Sequence, residues 1–204
     1  SPTASQMSRL VGLGLASKIY RNDNVKYSEK FSKNGNEIVW GTIGNASTSQ
    51  GIFFEAVNAC GVLQIPAVIS VWDDDYGISV HNKDHTTKES ISEALSGFQI
   101  NNESAGIEIL KVKGWDYQSL MRTYSHAEKI AREHHIPVLV HVTELTQPLG
   151  HSTSGSHERY KSTERLKWEE DYDCNRKFEE WIIKNKISTK KKIESIKAEI
   201  KTYV

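Results

Sequence analysis

Four short apolar runs, Glu37–Ile43, Pro66–Trp72, Ile107–Lys113 and Ile136–Leu145, constrain the fold of this chain more than any other feature. They are rich in Val and Ile and bounded by Gly, Asn or Pro, as buried strands are. Between them lie segments of helical period: Gln6 to Arg21, Gly51 to Leu63, Thr86 to Phe98 and Tyr117 to His135, the last with Leu120, Tyr124, Ala127 and Ala131 on one face. Alternation of this kind requires crossover connections. It therefore predicts an α/β fold, a mostly parallel sheet with helices on both faces.

Ligands of such sheets sit at the C-terminal ends of the strands. The segments that follow the four runs are Gly44–Ser49, Asp73–Ser79, Gly114–Asp116 and Gln147–Ser156, and they hold much of the Gly, Asn, Asp, Ser and His. After Ser156 the composition turns to charge, with an acidic and aromatic stretch at Glu164–Asp173, a basic one at Lys184–Lys192, and Ile193, Ile196 and Ile200 at helical spacing. The expected division is an α/β domain over residues 1–156 and a C-terminal helical extension over 157–204, the whole being a piece of a longer polypeptide.

Charge excludes some partners. Lys plus Arg and Asp plus Glu both number 26, so no net field favours nucleic acid or an anionic membrane surface. No apolar run approaches the roughly 18 residues of a membrane span, and Ser1-Pro2-Thr3-Ala4 has no signal-peptide pattern. Two cysteines, Cys60 and Cys174, make neither a disulfide framework nor a metal-ligand spacing, and a cytoplasmic location is expected. Cys60 lies within a helical pattern, as a small buried hydrophobe would.

The segment Gly44-Asn45-Ala46-Ser47-Thr48-Ser49-Gln50-Gly51 ends a strand and opens a helix, so unpaired N–H groups and the positive helix end suit a diphosphate. About thirty residues on, Asp73-Asp74-Asp75-Tyr76-Gly77-Ile78-Ser79 supplies hard oxygen ligands for Mg²⁺ or Ca²⁺.

Together, Gly44-x-x-x-x-Ser49-Gln50-Gly51, then Glu55 and Asn58, then Tyr76-x-Ile78-Ser79, resemble the thiamine-diphosphate motif of the alpha chain of 2-oxo acid dehydrogenases. The resemblance implies cofactor contacts from Gly44, Asn45, Ala46, Ser47, Ser49 and Ile78, and Mg²⁺ ligation by Asn45, Asp74 and the Tyr76 carbonyl. On this reading the carboxylate has moved from the first loop to the second. Asn45→Asp should then be tolerated, and Asp73, pointing away, should matter less than Asp74.

Ser1-Pro2-Thr3-Ala4-Ser5-Gln6 is similar to the family segment that touches the aminopyrimidine ring, through Ser1 and Thr3, and holds a structural potassium ion in some members, through Pro2, Ser5 and Gln6. Gly150-His151-Ser152-Thr153-Ser154 with Arg159-Tyr160 resembles the family's active-site loop. That likeness implies His151 as a catalytic, cofactor-contacting residue and Ser152 or Ser154 as modification sites. Two arginines that hold the diphosphate in the family stand here as Trp72 and Gln147.

The resemblance implies a thiamine-diphosphate-dependent oxidative decarboxylation of a 2-oxo acid, branched-chain first and pyruvate second, with acyl transfer to a lipoyl-bearing acyltransferase component. The glutamate that activates the cofactor belongs to a pyrimidine-binding, beta-type domain or chain. This chain alone is therefore expected to be inactive, and to oligomerise with that partner. The alternative is a non-catalytic remnant of the same fold that serves assembly, for which the missing arginines argue.

Overall fold

The computed structural model describes residues 3–22, 25–151, 153 and 155–204. Ser1, Pro2, Ser152 and Ser154 lie outside the described residues, so the aminopyrimidine contact of Ser1, the ion site at Pro2 and the two candidate modification sites have no structural account.

Helix α1 (Gln6–Asn22) leads into strand β1 (Val39–Gly44), a 3₁₀ turn at Ala46–Ser49, helix α2 (Gly51–Leu63) and strand β2 (Ala67–Trp72). A small hairpin follows, β3 (Tyr76–Gly77) with β4 (Val80–His81), then the short helix α3 (Ile91–Ala94), strand β5 (Glu108–Lys113), helix α4 (Tyr117–His134) and strand β6 (Val138–Thr143). The chain ends in α5 (Thr163–Asp171), α6 (Cys174–Lys184) and α7 (Lys190–Tyr203). The main sheet has the order β1-β2-β6-β5, and its neighbours pair in parallel.

Alternation along the buried strands explains the two cores. In β2, Ala67, Ile69 and Val71 join Leu139 of β6 and Met7, Leu10, Phe53, Val57 and Cys60 of α1 and α2 on one face. Val68 joins Val138, Val140 and Val142 against Ala127 and Ala131 of α4 on the other. Both faces are covered, as parallel strands without polar alternation require. Burial of Cys60 pushes its thiol pKa up to about 12, which suits packing and not nucleophilic work.

One expected element is different. The helix read over Thr86 to Phe98 is broken into a 3₁₀ turn at Thr87–Glu89, the single turn α3 and a second 3₁₀ turn at Ser96–Phe98. Lys88 and Glu89 take positive φ values of 61 and 56°, and Ser90 is extended. Burial of Ile91 and Leu95 in the first core holds the segment down without a continuous helix.

The C-terminal helices are packed on the sheet domain by aromatic contacts. Tyr117 of α4 meets Phe178 and Trp181 of α6 at centroid distances of 4.4 and 4.6 Å, and Trp115 meets Tyr172 at 5.0 Å. On α7, Ile196 and Ile200 remain about half exposed, at 46 and 55%. No helix among the described residues is long and apolar enough to cross a membrane.

Candidate diphosphate and metal site

Parallel pairing of β1 with β2 puts Gly44 beside Trp72, so the two loops leave the sheet as neighbours. The Asn45 N–H donates to the Trp72 carbonyl at 3.0 Å, which extends the ladder one residue into the first loop. From there the backbone tightens into the 3₁₀ turn and enters α2. Gln50, at the start of α2, accepts from the Ala4 N–H at 3.3 Å and donates to the Thr3 hydroxyl at 2.9 Å, so the N-terminal segment is brought against the loop that follows β1. Gln6, beside Ser5 at the start of α1, donates to the Thr42 carbonyl at 3.0 Å.

The second loop closes on the first through Gly77. A Cβ built on Gly77 would lie 2.4 Å from the Ala46 Cβ, so only glycine lets the hairpin lie this close. Replacing Gly77 with alanine is therefore expected to push the loops apart, destabilising the protein by about 1–3 kcal/mol through overpacking. Thermal unfolding checks this, and an unchanged midpoint would contradict the contact. His85 packs in the same place, its carbonyl accepting from Ser49 Oγ at 3.0 Å and its buried Nε2 meeting no hydrogen-bond partner among the described residues. Ile78, at the hairpin tip, has φ 60° and is 49% exposed, an outlying conformation for a β-branched residue of the kind that clusters in ligand loops.

The metal set expected from the sequence includes Asn45 and Asp74; in the structure the Asn45 side chain is linked to Asp73 through Asn82. Asn45 Nδ2 donates to Asn82 Oδ1 at 2.8 Å, and Asn82 Nδ2 donates to Asp73 Oδ1 at 2.9 Å. Asp73 Oδ2 pairs with His141 Nε2 at 2.8 Å, and His141 Nδ1 meets Ser92 Oγ at 2.9 Å. Asn45, Asn82, Asp73 and His141 are exposed by 6, 2, 4 and 1%, so this is an interior network. Burial raises the Asp73 pKa, but the hydrogen bonds from His141, Asn82 and the Asp75 N–H outweigh it and hold the carboxyl below its ordinary value. Asp73 is the most embedded acid of the loop, at 4% exposed.

Asp74 is half-buried, and its Oδ1 accepts from the Tyr76 N–H at 3.2 Å. Desolvation raises its pKa, so its charge is left poorly compensated by the protein. The turn itself is held from the C-terminal extension. Arg165 of α5 donates to the Asp74 carbonyl at 2.9 Å and pairs with Asp75 and with Glu169. Lys161 lies 4.9 Å from the Tyr76 ring centroid and donates to both Glu169 oxygens at 2.8 and 3.0 Å. These contacts cross the boundary expected at residue 156.

The remaining expected residues lie apart from this network. His151 is exposed, with Nδ1 2.9 Å from Thr153 Oγ1. Trp72 spends its indole N–H on Ser70 Oγ at 2.9 Å, and Gln147 lines a cavity with His157 and Arg176, so neither replaces an arginine at the first loop. Among the described residues no group of three or more His, Cys, Asp or Glu could hold a metal. The expected set differs in kind, with one carboxylate, one amide oxygen and one carbonyl. Asn45 Oδ1 accepts no hydrogen bond among the described residues and is not an enclosed atom, and the half-buried Asp74 carboxylate is a hard oxygen donor of negative charge, so both fit a hard cation.

The description of the dehydrogenase E1 component matches residues 1–204. The chain belongs to the dehydrogenase E1 component family. It is 25% identical over 187 residues to the mitochondrial 2-oxoisovalerate dehydrogenase subunit alpha 1 of Arabidopsis thaliana, covering 91% of this chain and 35% of that one. It is 23% identical over 194 residues to the pyruvate dehydrogenase E1 component subunit alpha of Rickettsia typhi, covering 95 and 53%. This E1 chain thus resembles alpha subunits and spans about a third to a half of the length of the curated relatives it matches. Its fold is shared with transketolases of Pichia stipitis (TM-score 0.53, 20% identity, 70% of this chain and 19% of that one) and Campylobacter jejuni (0.50, 18%, 86% and 26%).

Proposed function

We propose that this E1 chain is the diphosphate-binding half of a thiamine-diphosphate-dependent 2-oxo acid dehydrogenase, completed by a pyrimidine-binding, beta-type domain. The observation that carries the reading is the packing of the Gly77 hairpin on Ala46, which puts the Asn45 loop and the Asp74–Tyr76 turn at one rim of the sheet. Asn45 and Asp74, with the Tyr76 carbonyl, would hold Mg²⁺. Gly44, Ala46, Ser47 and Ser49 would meet the diphosphate at the start of α2, with Ile78, Ser1 and Thr3 toward the rings and His151 toward the reacting end. Pro2, Ser5 and Gln6 would take the potassium ion of those family members that have one.

Thiamine diphosphate, when bound, supplies the nucleophilic carbon that decarboxylates a 2-oxo acid. This chain's part is to anchor the diphosphate and cation and to keep the loop pair in register. The substrate is a branched-chain 2-oxo acid, with pyruvate second, and the acyl group passes to a lipoyl-bearing partner. The two unpaired cysteines support a reducing, cytoplasmic setting.

Calorimetric titration of the full-length protein with thiamine diphosphate is the test. Binding should require Mg²⁺, and Asp74→Ala should abolish that requirement together with the binding. The isolated chain should release no carbon dioxide above background. Absence of binding in the unaltered protein would leave the reading as an assembly remnant, which the engaged Trp72 N–H and the neutral Gln147 favour.

A further inference from the structure

The side chains of Asp73, Asn82 and Asn45 form a file whose direction is fixed link by link. Asp73 Oδ1 accepts from the Asp75 backbone N–H at 2.8 Å, so the atom at that place is an acceptor whatever the neighbouring amides do. The end of Asn82 that meets the same oxygen must therefore be its NH₂. That turns Asn82 Oδ1 toward Asn45, and the end of Asn45 that meets it must again be an NH₂. What is left over at Asn45 is Oδ1. An amide has two ends of nearly equal shape, one of which repels a cation, whereas a carboxylate has no such ambiguity.

We propose that Asn82, anchored on Asp73, is a positioning residue that locks the Asn45 amide with its oxygen, not its nitrogen, presented to a divalent cation. This rests on the reading of Asn45 as a metal ligand. It gives a physical reason why an amide serves in the first loop, because the second loop supplies the orientation that an amide lacks. It also reverses the expectation for Asn45→Asp. A carboxylate there would require the Asn82 NH₂, which Asp73 already holds, so one acceptor would face another.

The test is a Mg²⁺ titration of the full-length protein at fixed thiamine diphosphate, read by calorimetry, with thermal midpoints in parallel. Asn82→Ala should raise the Mg²⁺ concentration for half-saturation by about 10–100-fold, the usual effect of losing a partner that orients a ligand. Asn82→Ser, too short to bridge Asn45 and Asp73, should do the same and covers the case in which the alanine variant does not fold. Adding Asn45→Asp to either should restore Mg²⁺ affinity, since both ends of a carboxylate are oxygens and the competing NH₂ is gone. A purely structural Asn82 would lower the midpoint in single and double variants alike, with no recovery of Mg²⁺ affinity. Wild-type Mg²⁺ dependence in Asn82→Ala, or no rescue by Asn45→Asp, overturns the proposal. No Mg²⁺-dependent binding in the unaltered protein overturns the ligand reading beneath it.

Discussion

Asp73→Ala is expected to destabilise the protein by about 3–5 kcal/mol, the range found when one partner of a buried pair is removed. The change deprives three donors, the His141 Nε2–H, the Asn82 NH₂ and the Asp75 N–H, of their acceptor in a site closed to water. Asp73→Asn should lose less, because His141 can exchange tautomers, accepting from the new amide at Nε2 and donating from Nδ1 to Ser92. The pH dependence has a definite sign. A carboxyl whose folded pKa lies below its unfolded value stabilises above about pH 4 and loses that contribution as pH falls through the folded value. Unfolding followed between about pH 3 and pH 7 should show a steeper acid limb in the parent than in Asp73→Asn, where the other carboxyls with lowered pKa still contribute. An alanine variant as stable as its parent would remove the interior network from the account.

The second large effect is expected at Glu169. Lys161 and Glu169 are each 5% exposed, and their pair is deep enough that losing one charge strands the other. Glu169→Ala should cost about 3–5 kcal/mol, whereas Lys161→Met with Glu169→Leu should recover most of that, since apolar residues of similar volume fill such sites without desolvated charge. Chemical denaturation of Lys161→Met, Glu169→Leu and their double measures the coupling. Arg165 would keep its contacts to Asp75 and the Asp74 carbonyl in the double variant, so the turn should persist. A double variant weaker than Glu169→Ala would mean that the ion pair itself is favourable.

Strand positions were legible because β-branched runs bounded by Gly and Pro carry their signal locally, and all four strands of the main sheet fall within the apolar runs or one residue beyond them. The two rim loops were legible for the same reason. Sequence gave no hint that Thr86 to Phe98 would break, since its apolar spacing suits a helix and only the pull of the core on Ile91 and Leu95 decides otherwise. His141 lay unremarked inside a buried strand. Its partners Asp73 and Ser92 are 68 and 49 residues away, and only the placement of β6 beside β2 brings them together. Asn82 gave no signal either, being one polar residue in a polar stretch. Hydrogen-bonded file and direction alike belong to tertiary structure.

The grip of α5 on the Asp73–Asp75 turn has a kinetic side. Arg165 reaches the Asp74 carbonyl across 91 residues and Asp75 across 90, a separation whose closure is slow relative to local helix and hairpin formation. On a ribosome the turn is made early and waits until the extension has emerged, at roughly 5–20 residues per second. During that interval Asp74 and Asp75 lack their guanidinium, and the three consecutive acids of the turn repel one another. The rim thus gains its final shape only after the sheet beneath it is built, so the geometry of its two loops is among the last features this chain acquires as it folds.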